Sequence, residues 1–315
     1  MSIVPEGKLI WGIQLPVQSL TESKREPWEL GGTVHDMVSA AQAVEAAGGS
    51  FVGVCDHIAI PDNDYARHMS SQWFDPISTL AYVAAKTSTV RVLSTVFIAP
   101  YRHPLLSAKQ FMTLDHLSGG RTIVGVGAGH VEAEFEALGI DFASRGELLN
   151  ESIDAMRDAF ANEHAHFTGK FFDYKNVTLA PRPVQQPVPI WVGGSKKPAL
   201  RRVAERGDGW IPQGSPRSQM QGLVDFIRAH RDKVRPGAPI DFGWLPEWIY
   251  MGTRFFEEDH RRYITGSADK IAESLRYAKT LGCNVLHVNF RSRSAEEYCD
   301  QIAAFGRDVF PLVES

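Results

Sequence analysis

The sequence predicts an α/β fold, specifically a (β/α)8 TIM barrel with insertion segments, and two observations carry that prediction. Apolar runs of strand length alternate with segments of helical periodicity along the whole chain, as a parallel sheet with crossover helices requires. Eight such runs occur within 315 residues, which fits the barrel better than an open doubly wound sheet. We therefore expect the ligand site in the loops after the C-terminal strand ends.

The predicted strands are short apolar runs bounded by turn residues. In chain order they are Leu9–Leu15, Ser50–Cys55, Val90–Phe97, Thr122–Val126, Pro189–Val192, Gly209–Pro212, Ile240–Trp244 and Val285–Phe290. Helices separate them, and the first, Thr33–Ala47, has both end signals: Thr33 and Asp36 form a capping box, and Gly48 follows the last turn. Three more apolar stripes at helical spacing belong to the predicted core: Leu149, Ile153, Met156 and Phe160; Ile271, Leu275 and Ala278; and Tyr298, Ile302, Phe305 and Val309.

Neither a composition shift nor a Pro/Ser-rich linker divides the chain, so we predict one domain over residues 1–315. Its connections include unusually long ones, and long loops in a compact domain tend to be functional lids. These are Ile58–Phe74, Gly127–Ala143 together with His164–Pro187, and Leu245–Gly266.

The composition favours an enzyme or binding protein for small molecules. Hydrophobic residues make up 43% and charged residues 22%, and the net charge of −4 leaves no basic surface for nucleic acid. The N-terminal segment has no signal-peptide pattern and no apolar run approaches the ~20 residues that span a bilayer, so we expect no membrane association and a cytoplasmic location. Three scattered cysteines predict neither a disulfide framework nor a metal site.

Asp56 and His57 directly follow the apolar run FVGV of the second predicted strand. A barrel strand delivers its last side chains to the open face, where a carboxylate and an imidazole suit proton transfer or hydrogen bonding to a cofactor ring. The alternative is that Asp56 caps a turn and His57 is a loop histidine with a local partner.

Glycines end the fourth and fifth predicted strands. The first set, GVGAG from Gly125 to Gly129, resembles a dinucleotide fingerprint, but Glu132, Glu134 and Glu136 would repel a pyrophosphate there. A planar ring against the bare backbone of Gly127 and Ala128 is physically easier.

The second set is Gly193, Gly194 and Ser195, followed by Lys196 and Lys197 at a predicted helix start. Free N–H groups and the helix dipole would attract a phosphate there. The alternative is a tight turn in which Ser195 is only the helix N-cap.

Several segments in this order resemble the bacterial luciferase-like superfamily, and within it the branch that uses the deazaflavin coenzyme F420. The resemblance covers nearly the whole chain. The segments are Asp56-His57, TVFIAPYRHP, DHLSGGRTIVGVGAG, EFEALGIDFASRGE, PVPIWVGG, ERGDGWIP and FGRDVFP.

The resemblance implies a TIM barrel with the cofactor, F420 or alternatively FMN, across its C-terminal mouth. It implies that Asp56 and His57 lie beside the ring with His57 as acid/base, and that Thr95-Val96 is a cis peptide behind the ring. Further cofactor-binding positions that we expect are Gly127, Ala128, Gly129 and His130 at the ring and Gly193, Gly194 and Ser195 at the phosphate.

The chain departs from relatives that oxidise sugar phosphates, because Ala128 stands where they have an acidic glutamate, and we do not expect a sugar phosphate substrate. Many relatives have tryptophan where this chain has His130, so His130 is either a polar ring contact or a second proton donor.

The sequence thus predicts an F420-dependent oxidoreductase that passes a hydride between C5 of the deazaflavin and a small organic substrate, with catalytic residues His57 and Asp56. Trp73, Trp244 and Trp248 are expected to wall the substrate pocket. One alternative is an FMN-dependent monooxygenase that uses reduced flavin and dioxygen. Another is a catalytically silent cofactor-binding protein. The resemblance also implies a homodimer.

Overall fold

The computed structural model of the chain describes residues 2–63, 69–256 and 262–314. Its strands, in chain order, are β1 Ile10–Gln14, β2 Phe51–Val54, β3 Arg91–Ser94, β4 Phe97–Ile98, β5 Thr122–Gly127, β6 His164–Thr168, β7 Asp173–Thr178, β8 Ile190–Gly193, β9 Gly209–Ile211, β10 Asp241–Trp244, β11 Trp248–Met251, β12 Tyr263–Gly266 and β13 Val285–Val288. Its α-helices are α1 Val34–Ala46, α2 Pro76–Ala84, α3 Pro104–Leu117, α4 Glu132–Ala137, α5 Arg145–Ala161, α6 Lys197–Arg206, α7 Met220–Val234, α8 Ala268–Leu275, α9 Tyr277–Leu281, α10 Ala295–Ala304 and α11 Phe310–Glu314.

The barrel is closed and parallel, and the predicted fold is confirmed. Strands pair in the order β3, β2, β1, β13, β10, β9, β8 and β5, and β5 pairs back onto β3. Each predicted strand therefore occupies one barrel position. Every residue of β2, β5, β8, β10 and β13 is buried, as expected for parallel strands covered by helices on one face and filled by side chains on the other.

The third barrel position differs from its prediction. The run Val90–Phe97 is divided into β3 and β4, and the cis peptide bond between Thr95 and Val96 lies in the gap. Strand β3 pairs with β2 and β5, whereas β4 pairs with β5 alone. The chain therefore leaves the barrel wall at Thr95 and Val96, close to the C-terminal mouth.

The predicted helix signals are confirmed at α1. The Asp36 N–H donates to Thr33 Oγ1 at 3.3 Å, and the Thr33 N–H donates to Asp36 Oδ2 at 2.8 Å. The predicted stripe on α5 is buried. The last stripe continues from α10 through a π-helical turn, Phe305–Val309. A Cβ on Gly306 would lie 2.2 Å from the Ala47 carbonyl oxygen, so only glycine permits this contact with the end of α1.

The long connections contain structure of their own. Strands β6 and β7 form an antiparallel hairpin, β11 and β12 pair in parallel, and α4 lies within the segment Gly127–Ala143. Parts of two predicted lids, 64–68 and 257–261, lie outside the described residues. In the described part of the chain, no helix is both long and apolar enough to cross a membrane.

Candidate functional site

The residues predicted to bind the cofactor come together at the C-terminal mouth of the barrel. Asp56 and His57 follow β2, Thr95 and Val96 follow β3, the segment 127–130 ends and follows β5, and the segment 193–195 ends and follows β8. Because β2, β3, β5 and β8 occupy consecutive barrel positions, all of these residues lie along one side of the mouth.

Val96 forms part of the floor of this mouth. A Cβ on Gly127 would lie 2.4 Å from Val96 Cγ2, and one on Gly193 would lie 2.7 Å from Val96 Cγ1. The two glycines therefore leave room for the isopropyl group, which remains partly exposed. Gly53 likewise leaves room for the side chain of Thr95, because a Cβ on Gly53 would lie 2.4 Å from Thr95 Cγ2. Three strand glycines thus shape a smooth surface around the cis peptide.

His57 is held by a buried glutamate, Glu134 of α4. The Nδ1 atom of His57 lies 2.6 Å from Glu134 Oε2, and the two side chains are 8% and 0% exposed. The Ile58 and Ala59 N–H groups donate to Oε1 at 2.8 and 3.2 Å, and the Tyr101 hydroxyl donates to Oε2 at 3.0 Å. Burial raises the pKa of Glu134, but the hydrogen bond and charge of His57 and the two backbone N–H donors outweigh it and hold the pKa below its usual value.

This arrangement fixes the tautomer of His57. An ionised carboxylate only accepts hydrogen bonds, so Nδ1 carries the proton and Nε2 is the nitrogen left to exchange a proton with a ligand. The ring packs against Trp73, with centroids 4.4 Å apart, and against His130, with centroids 5.6 Å apart. Partial burial and the neighbouring His57 lower the pKa of His130, whose side chain is otherwise open to the mouth.

Sequence reasoning missed Glu134 as a site residue and treated it only as a charge near a helix start. A signal was available, because Val131 and Phe135 mark the buried face of α4 and position 134 falls on that same face. A carboxylate on an apolar helix face requires a partner, and here the partner is His57.

The Asp56 carboxylate is buried and both of its oxygens are bound by other residues of the protein. The Arg102 Nη1 and Nη2 atoms donate to its two oxygens at 2.6 and 3.0 Å, and the Ile98 N–H donates to Oδ2 at 2.8 Å. The residue is 2% exposed. The Arg102 guanidinium also lies over the Phe97 ring, 4.2 Å from its centroid. Asp56 therefore ties the end of β2 to β4 and to the chain that follows it.

The predicted phosphate site differs in detail from its prediction. Helix α6 begins at Lys197, and Lys196 is its N-cap residue, so Ser195 is not the cap. Ser195 Oγ instead accepts from the Gln213 N–H at 3.0 Å and from the Ser215 hydroxyl at 2.5 Å. No described side chain caps α6. Its first N–H groups, with the exposed Lys196 and Lys197, remain suited to an anion.

Two cavities of about 350 Å³ each open on the other side of the mouth, beside β1, β9, β10 and β13. Trp248 lines both of them, and Trp244 lines the second. Trp73 lines neither cavity: its ring packs at a tilt against His57, and its backbone forms an isolated antiparallel β-bridge with Ser19. Gln18 joins the two sides, because it lines the first cavity and its Oε1 accepts from the Cys55 N–H at 3.2 Å. In the described ranges, no group of three or more His, Cys, Asp or Glu could hold a metal ion.

Comparison with known families agrees with this geometry. The model of the family described as luciferase-like monooxygenase matches residues 13–250, which includes the predicted cofactor side of the mouth and both of the cavities' tryptophans. The chain belongs to the luciferase-like monooxygenase family. The resemblance to the luciferase-like superfamily is thereby confirmed, and the chain is an oxidoreductase.

Individual relatives of this luciferase-like protein differ in what their names say. An uncharacterised protein of Mycobacterium tuberculosis is 33% identical over 278 residues, covering 85% of this chain and 94% of the relative. The FMNH(2)-dependent dimethylsulfone monooxygenase of Pseudomonas putida is 32% identical over 149 residues, or 46% of this chain and 41% of that enzyme. The coenzyme F420-dependent tetrahydromethanopterin reductase of Methanopyrus kandleri superposes with a TM-score of 0.75 at 17% identity, covering 96% and 99% of the two chains. This last likeness shows the shared fold.

Proposed function

We propose that this chain is an F420-dependent oxidoreductase that transfers a hydride between C5 of the deazaflavin and a small organic substrate. The observation that carries the proposal is the pairing of His57 with the buried Glu134 at the barrel mouth. Hydride transfer to or from a carbonyl or alcohol carbon requires a matching proton transfer at the oxygen. A histidine whose Nδ1 is held by a carboxylate has Nε2 to use for that step.

The residues present fit a deazaflavin or flavin ring. Val96 is partly exposed and lies against Gly127 and Gly193, two residues with no side chain of their own, so a flat group could lie against this surface. Gly127, Ala128, Gly129 and His130 would border the same ring, with Thr95 behind it. When bound, the cofactor supplies the hydride chemistry that no amino acid side chain provides.

The phosphate of such a cofactor would lie at the start of α6. Gly193 and Gly194 bring the backbone to this point, and Gly194 has φ of +111°. The Gly194 N–H donates to the Ile211 carbonyl at 3.1 Å, so the anion would rely on the N–H groups that follow and on Lys196 and Lys197. Ser195, held by Gln213 and Ser215, would keep this loop in place.

The roles of the two residues after β2 differ in this proposal. His57 moves the proton, and Glu134 holds the ring in place through Nδ1. Asp56 positions His57 through the ion pair with Arg102 and does not itself contact the substrate. Trp73 closes the side of the His57 ring, while Trp248 and Trp244 wall the cavities in which the substrate would lie.

The second candidate function is an FMN-dependent monooxygenase that uses reduced flavin and dioxygen. The description of the matching family model and the name of the Pseudomonas putida relative favour it. The His57 and Glu134 pair favours F420, because a fixed acid/base couple is what a hydride-transfer reaction needs from the protein.

The deciding experiment is a titration of the purified apoprotein with F420 and, separately, with FMN, followed by intrinsic tryptophan fluorescence. Binding of F420 in preference to FMN supports the proposal. Binding of FMN alone supports the monooxygenase. Binding of neither contradicts both functions. A variant with Gly222→Ala, a change in α7 that meets no neighbouring atom, serves as the control for unspecific effects on fluorescence.

We also propose that the protein acts as a homodimer. Tyr82, Leu106 and Leu117 are 47%, 52% and 61% exposed on α2 and α3, an amount of open apolar surface that suits a protein contact. Sedimentation equilibrium at micromolar concentration tests this proposal, and a species that remains monomeric would contradict it.

A further inference from the structure

The first cavity is lined mainly by side chains that form hydrogen bonds. Its polar lining consists of Gln14, Gln18, Ser19, Ser23, Lys24, Glu29, Ser215, Asn289 and Tyr298. Leu15, Leu245, Pro246 and Trp248 supply a smaller apolar wall. A cavity of this kind does not suit a long hydrocarbon, because such a ligand would leave the polar groups without partners.

The two charged residues in this lining, Lys24 and Glu29, differ in what they offer a ligand. Glu29 faces the protein: the Val17 N–H donates to Oε2 at 2.8 Å, and the Glu26 N–H donates to Oε1 at 2.7 Å. The residue is 6% exposed, and burial raises its pKa to about 7. Both oxygens are thus engaged in holding the segment that forms the cavity wall.

Lys24 lines the first cavity and is open to solvent. It ends a short 3-10 turn, Glu22–Lys24, and its side chain is exposed. Burial raises the pKa of Cys55 and lowers those of His130 and His287, and in each case the charge of Lys24 adds a shift toward lower values. Cys55 follows β2, His130 follows β5 and His287 lies on β13, so the three residues are at separate points around the barrel. Lys24 also lines the first cavity, together with Gln18 and Ser23, so its positive charge is available to a ligand bound there.

We propose that Lys24 is a specificity-determining residue that binds an anionic oxygen group of the substrate. The substrate class is then a small polar molecule that carries a carboxylate or a comparable anion, with its body against Trp248. Among the cavity-lining residues, Lys24 provides the positive charge, and the amide and hydroxyl groups around it provide further hydrogen bonds. This inference rests on the proposed function of the same site.

The test compares charged probes with their neutral isosteres. Benzoate, phenylacetate and nicotinate are each paired with the corresponding amide, and their affinities are measured by ligand-detected NMR titration. The measurements use the wild type, Lys24→Gln, Lys24→Arg and the control Lys233→Gln, which removes an exposed lysine of α7. Each titration is made on the apoprotein and again with F420 present.

We expect at least one carboxylate to bind the wild type more tightly than its amide. Lys24→Gln should lower the affinity for that carboxylate about tenfold and leave the affinity for the amide unchanged, because one charge-assisted hydrogen bond is lost. Lys24→Arg should retain most of the affinity, and Lys233→Gln should equal the wild type.

Three results would overturn the inference. In the first, Lys24→Gln lowers the affinities for carboxylate and amide equally, which would mean that Lys24 contributes only to the shape of the cavity. A second contradicting result is that the wild type binds no carboxylate more tightly than the corresponding amide. In the third, Lys24→Gln lowers the affinity for F420 itself, which would mean that Lys24 binds the anionic part of the cofactor and not the substrate. Failure of the proposed function is read separately, in the titrations with F420 and FMN, because the probe measurements on the apoprotein need neither cofactor.

Discussion

Glu134 Oε2 lies 2.6 Å from His57 Nδ1, so a carboxylate from the helix after β5 orients an imidazole from the loop after β2. The pair crosses from one barrel position to another, and the same carboxylate accepts the Ile58 and Ala59 N–H groups. One buried side chain therefore fixes both the tautomer of His57 and the path of the loop that carries it.

Replacing the carboxylate by an amide separates these two tasks. In Glu134→Gln the shape is kept, but the amide can donate to Nδ1 and stabilise the other tautomer. We expect kcat to fall about 100-fold, within the range for loss of general acid–base catalysis, with little change in cofactor affinity. The ¹⁵N chemical shifts of His57 should show the changed tautomer.

A purely structural role for Glu134 would give a different pattern. Stability and cofactor affinity would fall together with turnover, and the ¹⁵N shifts of His57 would stay as in the wild type. The matched control is Glu136→Gln, a change on the exposed side of the same helix, which should leave turnover and tautomer unchanged.

Asp56 and Arg102 form a buried ion pair whose side chains are 1% and 11% exposed. Asp56→Asn leaves the guanidinium with a weaker partner, and breaking a buried pair from one side costs about 3–5 kcal/mol. We expect a loss of that order in urea unfolding. The double variant with Arg102→Gln should recover part of it. An Asp56→Asn protein of unchanged stability that had lost turnover would show that Asp56 takes part in the chemistry after all.

The sequence was sufficient to predict the barrel because strand position depends on local apolar runs and their boundaries. The glycine-rich strand ends were also recognisable, since bare backbone at the end of a buried strand is a local property of residues such as Gly127 and Gly193. The contact that requires glycine at these two positions, with the side chain of Val96, could not be predicted from the sequence. Val96 approaches both glycines only when β3, β5 and β8 lie side by side in the barrel.

The parts that sequence reasoning missed all depend on contacts between distant segments. Glu134 lies 77 positions from His57 along the chain. From the sequence it was therefore interpreted only as one of the charges that would repel a pyrophosphate at the start of α4. Ser195 has the residue type of an N-cap, yet it is held by Gln213 and Ser215 from the loop after β9. Local propensity does not reveal such partners.

Gly127→Ala tests the surface that Val96 forms. The added methyl group would lie 2.4 Å from Val96 Cγ2, so the valine must move toward the mouth. We expect a loss of about 1–3 kcal/mol in stability from overpacking and a fall of tenfold or more in cofactor affinity. Gly222→Ala, where a Cβ meets nothing within 4 Å, is the control. Unchanged affinity in a folded Gly127→Ala protein would contradict a ring position against Val96.

His287 should make the protein less stable in mild acid. It is 6% exposed on β13, with its ring 5.5 Å from that of Phe51, and burial together with the charge of Lys24 lowers its pKa to about 4. The unfolded chain has an ordinary histidine pKa near 6.5, so between these values the unfolded state binds more protons than the folded state. Stability therefore falls as the pH drops from about 6.5 to 4, by up to roughly 3 kcal/mol from this residue.

The His287→Gln variant isolates this contribution, because other groups titrate in the same range. Glu29, with a pKa raised by burial to about 7, works in the opposite direction, since its folded form holds a proton that the unfolded chain releases above pH 4.5. Subtracting the unfolding free energies of the variant from those of the wild type at each pH removes the effect of Glu29. The difference should grow more favourable to the variant as the pH falls from 6.5 to 4, while the exposed-histidine control His35→Gln should follow the wild type. A difference that stays constant with pH would mean that His287 takes up its proton as readily in the folded barrel as in the unfolded chain, and that its ring is in contact with water in the folded state.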